Sequence, residues 1–128
     1  MSAVERSRTS ARTVEKPWGW ELVWAETDTY VGKLLFVRAG QSLSLQYHEV
    51  KDEAWLVREG RAQLELGDVG GPLEAIEIAA GDTFHYAPGT VHRVTAIDDL
   101  LVVEVSTPHL DDVVRLEDRY GRQGTSAP

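Results

Sequence analysis

The sequence of 128 residues contains no cysteine, which excludes disulfides, thiolate nucleophiles and zinc–cysteine sites. It also lacks the run of about 20 apolar residues that a membrane-spanning helix needs. Basic residues are few: thirteen stand against twenty-one acidic ones, and the formal net charge is −8. Binding to nucleic acids or to anionic membranes depends on lysine and arginine, so we expect neither as a partner.

No apolar segment follows the basic residues near the N-terminus, so the sequence shows no secretory signal and we expect a cytoplasmic protein. Residues 1–16 hold four of the thirteen basic residues, and we predict a flexible N-terminal arm there. The chain is too short for two separate cores. We therefore expect a single domain over residues 17–122, followed by a frayed C-terminus over 123–128.

From residue 20 onward, apolar and polar residues alternate with period two, which indicates β-strands. The segments are short, rich in β-branched and aromatic residues, and separated by turn-forming pairs such as Glu59-Gly60 and Pro88-Gly89. Nine strands are predicted, at residues 20–24, 31–38, 42–48, 53–58, 61–66, 73–78, 82–86, 91–96 and 100–106. This pattern predicts an all-β sandwich or barrel. Only residues 110–120 have helical spacing, and we expect a short C-terminal helical turn there.

The strand at residues 42–48 carries the first candidate site. Alternation places Ser44, Gln46 and His48 on one face and the apolar Leu43, Leu45 and Tyr47 on the other. The polar row either faces solvent or lines the interior of a barrel, where it would bind a ligand. In the second case the apolar row faces outward, and we expect a second subunit of a homodimer, or the N-terminal strand, to cover it.

Two further donors lie on other predicted strands. Glu53 opens the strand after His48, and His92 follows the turn at Pro88-Gly89. Histidine and carboxylate groups brought together from three strands suit a divalent cation.

Segments 40–60 and 81–92 resemble the two sequence motifs of the cupin superfamily. More narrowly, residues 16–122 resemble the cupin domain at the C-terminus of bifunctional mannose-6-phosphate isomerase/mannose-1-phosphate guanylyltransferases. The narrower resemblance rests on Lys-Pro-Trp-Gly-Trp at 16–20 and Glu-Asp-Arg-Tyr-Gly-Arg at 117–122. It implies a double-stranded β-helix, the cupin jelly-roll barrel, with the C-terminal helical turn packed outside.

The chain departs from the family pattern at three positions of the first motif. Val50 and Ala54 stand where the family has histidines, and Lys51 stands where it has an arginine. Another type of zinc-dependent isomerase resembles the chain locally in using Gln-x-His with a distant Glu and His. These resemblances imply a divalent metal, zinc first and iron, manganese or nickel as alternatives, at four ligands: Gln46, His48, Glu53 and His92.

The resemblance implies a metal-dependent sugar-phosphate isomerase acting on mannose 6-phosphate, fructose 6-phosphate or a similar small molecule. We expect Lys51 and Arg115 to be catalytic, and the substrate contacts to be Ser44, Lys51, Arg93 and Arg115. Two alternatives stay open. The changes at Val50 and Ala54 favour a non-catalytic small-molecule-binding cupin with a degenerate metal site. The set of two histidines and one carboxylate also suits an iron-dependent cupin oxygenase.

Overall fold

The computed structural model describes residues 1–124 and, within them, eleven β-strands and one short helix. In chain order these are α1 (Ala3–Ser7), β1 (Arg12–Lys16), β2 (Gly19–Glu26), β3 (Val31–Val37), β4 (Leu45–Tyr47), β5 (Glu53–Glu59), β6 (Ala62–Asp68), β7 (Leu73–Ile78), β8 (Thr83–Tyr86), β9 (Thr90–Ala96), β10 (Leu100–Ser106) and β11 (Val114–Glu117). Most of the segment predicted to fray, residues 125–128, lies outside the described residues. None of the helices described is long and apolar enough to cross a membrane.

The strands form two antiparallel sheets. The larger sheet has the strand order β1-β2-β3-β10-β5-β8, and the smaller has β11-β4-β9-β6-β7. One apolar core lies between them, with Leu35 and Val102 contributed by the larger sheet and Leu64 and Val94 by the smaller. The prediction of an all-β jelly roll is confirmed.

The nine predicted strands are all present, but the one at residues 42–48 is regular only over Leu45–Tyr47. Before Leu45 the strict alternation breaks down, because Leu43 joins the core while its neighbour Ser44 is also buried. Leu43 and Leu45 are 8% and 5% exposed within the single chain. Leu43 and Leu45 are therefore covered within the single chain, and these two side chains do not need a second subunit to cover them.

Two strands lie where the sequence predicted other structures. β1 falls inside the expected flexible arm and pairs with β2 in continuous register, and Arg12 forms an ion pair with Glu26 across the two strands at 3.1 Å. The predicted helical turn at 110–120 is wrong: β11 forms there and pairs with β4. The physical reason is that β-branched Val113 and Val114 favour extended backbone, and β4 offers an open edge to pair with.

The larger sheet has an unusual distribution of polarity. Its charged side chains at Glu21, Lys33, Glu53 and Glu104 face inward and are buried. Most outward positions of β2, β3, β10 and β5 are apolar instead. We call these positions the outer apolar face: Trp20, Leu22, Trp24, Leu34, Phe36, Leu101, Val103, Val105, Ala54 and Leu56.

Gly60 links β5 and β6 where the chain passes close to the start of β10. Its φ is +88°, and a Cβ at this position would lie 2.2 Å from the carbonyl oxygen of Asp99. Gly81 has a similar φ of +97°, but a Cβ there would meet nothing within 4 Å. Both positions favour glycine for conformational reasons, and Gly60 is also constrained by packing.

The comparison of the two glycines predicts unequal costs of substitution. Gly81→Ala is expected to lower the free energy of unfolding by about 1 kcal/mol, the cost of a left-handed backbone for alanine. Gly60→Ala is expected to cost roughly 3 kcal/mol, because Asp99 must also move. Urea unfolding of the two variants checks this, and equal losses would contradict it.

Candidate metal centre

Three buried side chains from three segments of the chain converge between the sheets. His48 follows β4, Glu53 begins β5, and His92 lies in β9; they are 6%, 3% and 1% exposed. One potential ligand atom from each lies within 4.8 Å of the others. The Nε2 atoms of His48 and His92 are 3.2 and 3.0 Å from the same oxygen, Oε1 of Glu53.

Backbone carbonyls orient both imidazoles. Nδ1 of His92 lies 2.9 Å from the carbonyl oxygen of Thr90, and Nδ1 of His48 lies 2.5 Å from that of Asp112. A carbonyl can only accept, so each Nδ1 donates to its carbonyl and each Nε2 is directed toward Glu53. Outer-shell hydrogen bonds of this kind orient histidines that bind metals.

The donor set fits a divalent cation. Among the described residues, Nε2 of His92 is buried and has no hydrogen-bond partner, which is costly unless another ligand satisfies it. Burial tends to raise the pKa of Glu53, but the two facing histidines and the charge of Lys51 outweigh it and hold that pKa well below its ordinary value. Glu53 is therefore an anion, as a metal-binding carboxylate must be.

Gln46 lies beside this cluster. It is paired in register with His92 across β4 and β9, lines the same cavity, and accepts a hydrogen bond from Ser44 Oγ at 3.0 Å. Gln46 therefore lies on the side of β4 that faces His92, which is compatible with its predicted role as the fourth metal ligand. Ser44, a predicted substrate contact, also lines the cavity.

The central cavity above the cluster is densely charged. Its volume is about 60 Å³, room for a few ordered water molecules. Five cations line it, Lys16, Lys33, Lys51, Arg115 and Arg122, together with three carboxylates, Glu21, Glu53 and Glu104. Cations outnumber carboxylates here, although the chain as a whole is acidic.

Lys51 is predicted to be catalytic, and the structure defines its protonation state. Its Nζ lies 3.2 Å from Glu53 Oε2 and 3.7 Å from Glu104 Oε2. Burial would lower the pKa of Lys51, but the two carboxylates outweigh it and raise the pKa above its ordinary value. Lys51 is therefore a fixed cation and not a general base. Asp52, which could also have served as a base, is an exposed partner of His85 at 2.6 Å.

Glu104 is a cavity residue that the sequence analysis missed. It lies in β10, is 4% exposed, and accepts a hydrogen bond from Trp55 Nε1 at 2.9 Å. Burial and the charge of Glu53 raise the pKa of Glu104 to about 7. The signal was present in the sequence, because a single carboxylate interrupts the apolar run at residues 100–105.

The two predicted arginine contacts lie in different places. Arg115 on β11 is buried and lines the cavity. Arg93 points to the outside of the smaller sheet, where it pairs with Glu65 at 2.8 Å and Glu117 at 3.2 Å. The prediction of Arg93 as a substrate contact is not supported, since side chains alternate along β9 and its neighbour His92 faces inward.

His85 and His109 do not belong to the cluster. His85 lies on the exposed side of β8, and His109 is an exposed loop residue. Val50, at the position of a family histidine, is 59% exposed and stands away from the buried donors.

Asp112 connects the C-terminal segment to the cluster. Its carboxylate accepts hydrogen bonds from the backbone N–H groups of Glu49, Val50 and Lys51 at 3.0, 2.7 and 2.8 Å. Burial opposes ionisation, but these three donors lower the pKa of Asp112 below its ordinary value. One residue thus fixes the loop after His48 and also, through its carbonyl, the His48 ring.

The two sheets around a buried pair of histidines and a carboxylate define a cupin. CapF of Staphylococcus aureus aligns with a TM-score of 0.73 and 17% identity over 89% of this chain and 34% of that chain. A Bacillus subtilis oxalate decarboxylase described with Mn(II) centres aligns with a TM-score of 0.69 and 20% identity, over 81% and 29%. At these identities the likeness shows the fold alone.

Within the cupins, the chain belongs to the Mannose-6-phosphate isomerase C-terminal family, whose model matches residues 4–118. It is 36% identical over 115 residues to a mannose-1-phosphate guanylyltransferase of Escherichia coli, covering 87% of this chain and 23% of the relative. It is 32% identical over 126 residues to the xanthan biosynthesis protein XanB of Xanthomonas campestris, covering 94% and 26%. The chain spans about a quarter of the length of these relatives.

The Asp112 contacts predict an effect on metal binding at a distance. Asp112→Ala removes the carboxylate that accepts three hydrogen bonds from the loop after His48, so affinity for a divalent ion is expected to fall about 10–100-fold. Asp111→Ala, an exposed neighbour, serves as the control and should leave affinity unchanged. Competition with a chromophoric chelator measures both, and equal affinities in the two variants would contradict the proposed link.

Glu21 neutralises the cation pair at the other end of the cavity. Its carboxylate lies 3.5 Å from Lys16 Nζ and 3.0 Å from Lys33 Nζ. Burial would raise the pKa of Glu21, but the two ammonium groups outweigh burial and lower it below 4.5. A carboxyl group with a lowered pKa stabilises the fold above its unfolded-state pKa, and this stabilisation is lost as the pH falls through the folded-state pKa.

Glu21→Gln leaves two buried ammonium groups without their carboxylate. We expect it to reduce the free energy of unfolding by about 3 kcal/mol at pH 7, and by progressively less as the pH falls below about 4. Glu26→Gln, which breaks the exposed pair with Arg12, should cost less than about 0.5 kcal/mol. Urea titrations at pH 7 and pH 3.5 test both, and a loss that does not depend on pH would contradict the assignment.

Proposed function

We propose that this cupin binds a divalent metal through His48, Glu53, His92 and Gln46 and isomerises a sugar phosphate related to mannose 6-phosphate. The observation that carries the proposal is the convergence of two oriented Nε2 atoms on one oxygen of Glu53, at 3.2 and 3.0 Å. The chain belongs to the Mannose-6-phosphate isomerase C-terminal family, and this membership supports a sugar phosphate as the substrate.

The charge of the cavity supports an anionic ligand. Five cations face three carboxylates in a protein of net charge −8, so the surroundings favour anions only locally. Arg115 has the planar guanidinium that suits a phosphate, and Lys16 adds a cation from β1. Trp18 and Trp55 line the same cavity and offer apolar surface to a sugar ring.

The residues divide into metal ligands and groups that act on substrate. A bound divalent ion would supply a Lewis acid for the oxygens on the two carbons between which the proton moves. Lys51 stays protonated, holds Glu53 in place and donates hydrogen bonds to substrate oxygen. Glu104 is the cavity carboxylate nearest to the pair formed by Lys51 and Glu53. We assign to Glu104, and not to Lys51 or Asp52, the role of holding the transferred proton.

A second candidate is a cupin that binds a small anion without turnover. The cavity volume of about 60 Å³ favours it, because a hexose phosphate would displace cavity side chains or keep its sugar at the entrance. Inorganic phosphate would fit with little rearrangement.

The test measures metal content and proton exchange separately. Purified protein is expected to hold about one divalent ion per chain by elemental analysis, and to exchange the C2 hydrogen of mannose 6-phosphate with deuterated water. His92→Ala should lose both, whereas His85→Ala and His109→Ala, which remove histidines outside the cluster, should keep both. Metal retention in His92→Ala would contradict the site.

Glu104→Gln separates catalysis from binding. The amide keeps the acceptor for Trp55 but cannot take up a proton, so exchange should fall at least about 100-fold while metal content is unchanged. Stoichiometric metal and phosphate binding with no exchange in the wild type would reject the isomerase and favour the second candidate. Oxygen uptake by iron-loaded protein would instead identify an oxygenase.

A further inference from the structure

The ring of Tyr86 packs against the face of the His92 imidazole. The two ring centroids are 4.3 Å apart, the ring planes differ by 9°, and each residue is 1% exposed. Tyr86 is in register with Glu53 across β8 and β5. His92, which belongs to the other sheet, therefore meets two neighbours on the larger sheet: Glu53 lies opposite its Nε2, and Tyr86 lies against its face.

We propose that Tyr86 is a positioning residue of the candidate metal centre, whose ring holds the His92 imidazole in the orientation that directs Nε2 toward Glu53. The inference rests on the metal site of the proposed function. It adds a residue that lies outside the donor set and outside the lining of the central cavity, as the described residues define both.

A short turn brings the two rings together. Tyr86 ends β8 in the larger sheet, His92 lies in β9 of the smaller sheet, and only residues 87–91 separate them. Within this turn the N–H group of Gly89 donates a hydrogen bond to the carbonyl oxygen of His48 at 2.8 Å. The turn thus limits how far apart Tyr86 and His92 lie, and it is tied to the residue that carries the other imidazole.

The stacked ring restricts a motion of His92 that its hydrogen bond leaves open. The carbonyl oxygen of Thr90 lies 2.9 Å from Nδ1 of His92 and sets the direction of that nitrogen. The torsion that rotates an imidazole about its bond to Cβ has a broad minimum, so the ring plane can still tilt. A parallel aromatic ring in contact with one face opposes this tilt. The two constraints together keep Nε2 directed toward Glu53.

Aromatic neighbours in turn hold the Tyr86 ring. Trp55 meets it edge to face, with centroids 5.2 Å apart and planes at 74°, and Phe84 lies parallel to it at 6.3 Å. Trp55 is itself fixed by the hydrogen bond from its Nε1 to Glu104 at 2.9 Å. The ring that supports His92 is therefore part of a packed aromatic cluster on the larger sheet.

The hydroxyl group of Tyr86 does not explain this contact. Among the described residues, its Oη is buried without a hydrogen-bond partner, and burial of an unpaired hydroxyl is unfavourable. Tyr86→Phe removes the hydroxyl and keeps the ring. We therefore expect this variant to unfold at a higher urea concentration than the wild type and to bind metal with the same affinity.

The experiment removes an aromatic ring at two positions of β8. Tyr86→Leu takes away the stacked ring, and Phe84→Leu, the matched control, makes the same kind of change two residues earlier on the same side of the strand. Zinc is the probe ion, and a chromophoric chelator is the competitor. Tyr86→Leu is expected to raise the dissociation constant for zinc at least about tenfold, as the loss of an outer-shell contact does. Phe84→Leu should leave it unchanged.

A second readout reports the orientation of His92 in the metal-free protein. Protons that lie over the face of an aromatic ring resonate at higher field in NMR spectra. The chain has four histidines, so the spectra of His85→Ala, His109→Ala and His92→Ala assign the ring signals of these three. The His92 signals are expected at the same high-field position in the wild type and in Tyr86→Phe, and at lower field in Tyr86→Leu.

The outcomes separate this inference from the metal site on which it rests. If Tyr86→Leu does not fold, Tyr86→Met replaces it, because the flexible methionine side chain fills a core without a ring. Unchanged zinc affinity in the folded variant, unchanged His92 signals, or weaker zinc binding by Tyr86→Phe would overturn the inference and leave the metal site intact. A wild-type chain that binds no zinc would contradict the metal site itself, and the inference with it.

Discussion

The carboxylate of Glu53 joins the two sheets, and the arrangement of the interior depends on it. It belongs to the larger sheet through β5, while His92 belongs to the smaller sheet through β9, and the two side chains are 3.0 Å apart. One oxygen faces the histidines and the other faces Lys51. A buried anion is stable only when such partners surround it, so the neighbouring positions are constrained in turn.

That constraint explains the polarity of the larger sheet. Once Glu53 and Lys51 occupy the interior, Glu104 can pair with Lys51, and Glu21 with Lys33, inside the same cavity. The charged side chains take the inward positions that apolar residues would fill in an ordinary sandwich. The apolar residues of the same strands then face outward. The candidate metal centre and the outer apolar face therefore lie on opposite sides of the same strands.

The alternation of the sequence was sufficient to locate the central strands and the donors on them. His48, Glu53 and His92 each follow a recognisable strand or turn signal, and the structure brings them together. β1 was missed because its charges resemble a solvated tail, and only the pairing with β2 reveals their partners. β11 was missed because Val113 and Val114 fit a helical spacing as well as an extended one. Each of these two strands forms by pairing with a distant or exposed strand edge, and a local sequence pattern does not show that such an edge is available.

The buried charged residues show a different limit to what the sequence predicts. Lys33 and Glu104 are each single charges within apolar strands, and their inward direction follows from parity with their neighbours. Arg93 could have been placed outside by the same parity, once His92 was assigned to the interior. The alternation of side chains along a strand does not predict which residues pair when they lie far apart in the chain. Examples are Lys51 with Glu104 and Glu49 with Asp112.

The contact between His48 and the carbonyl of Asp112 has a consequence for biosynthesis. The three donors lie between residues 48 and 92, but the group that orients His48 follows 64 residues after it. During synthesis on the ribosome, the donors emerge before the residue that fixes their geometry. β10, which inserts between β3 and β5, also arrives late. The donor cluster with its orienting contacts is thus completed only when nearly the whole domain has been made, so an ion bound there would enter after folding.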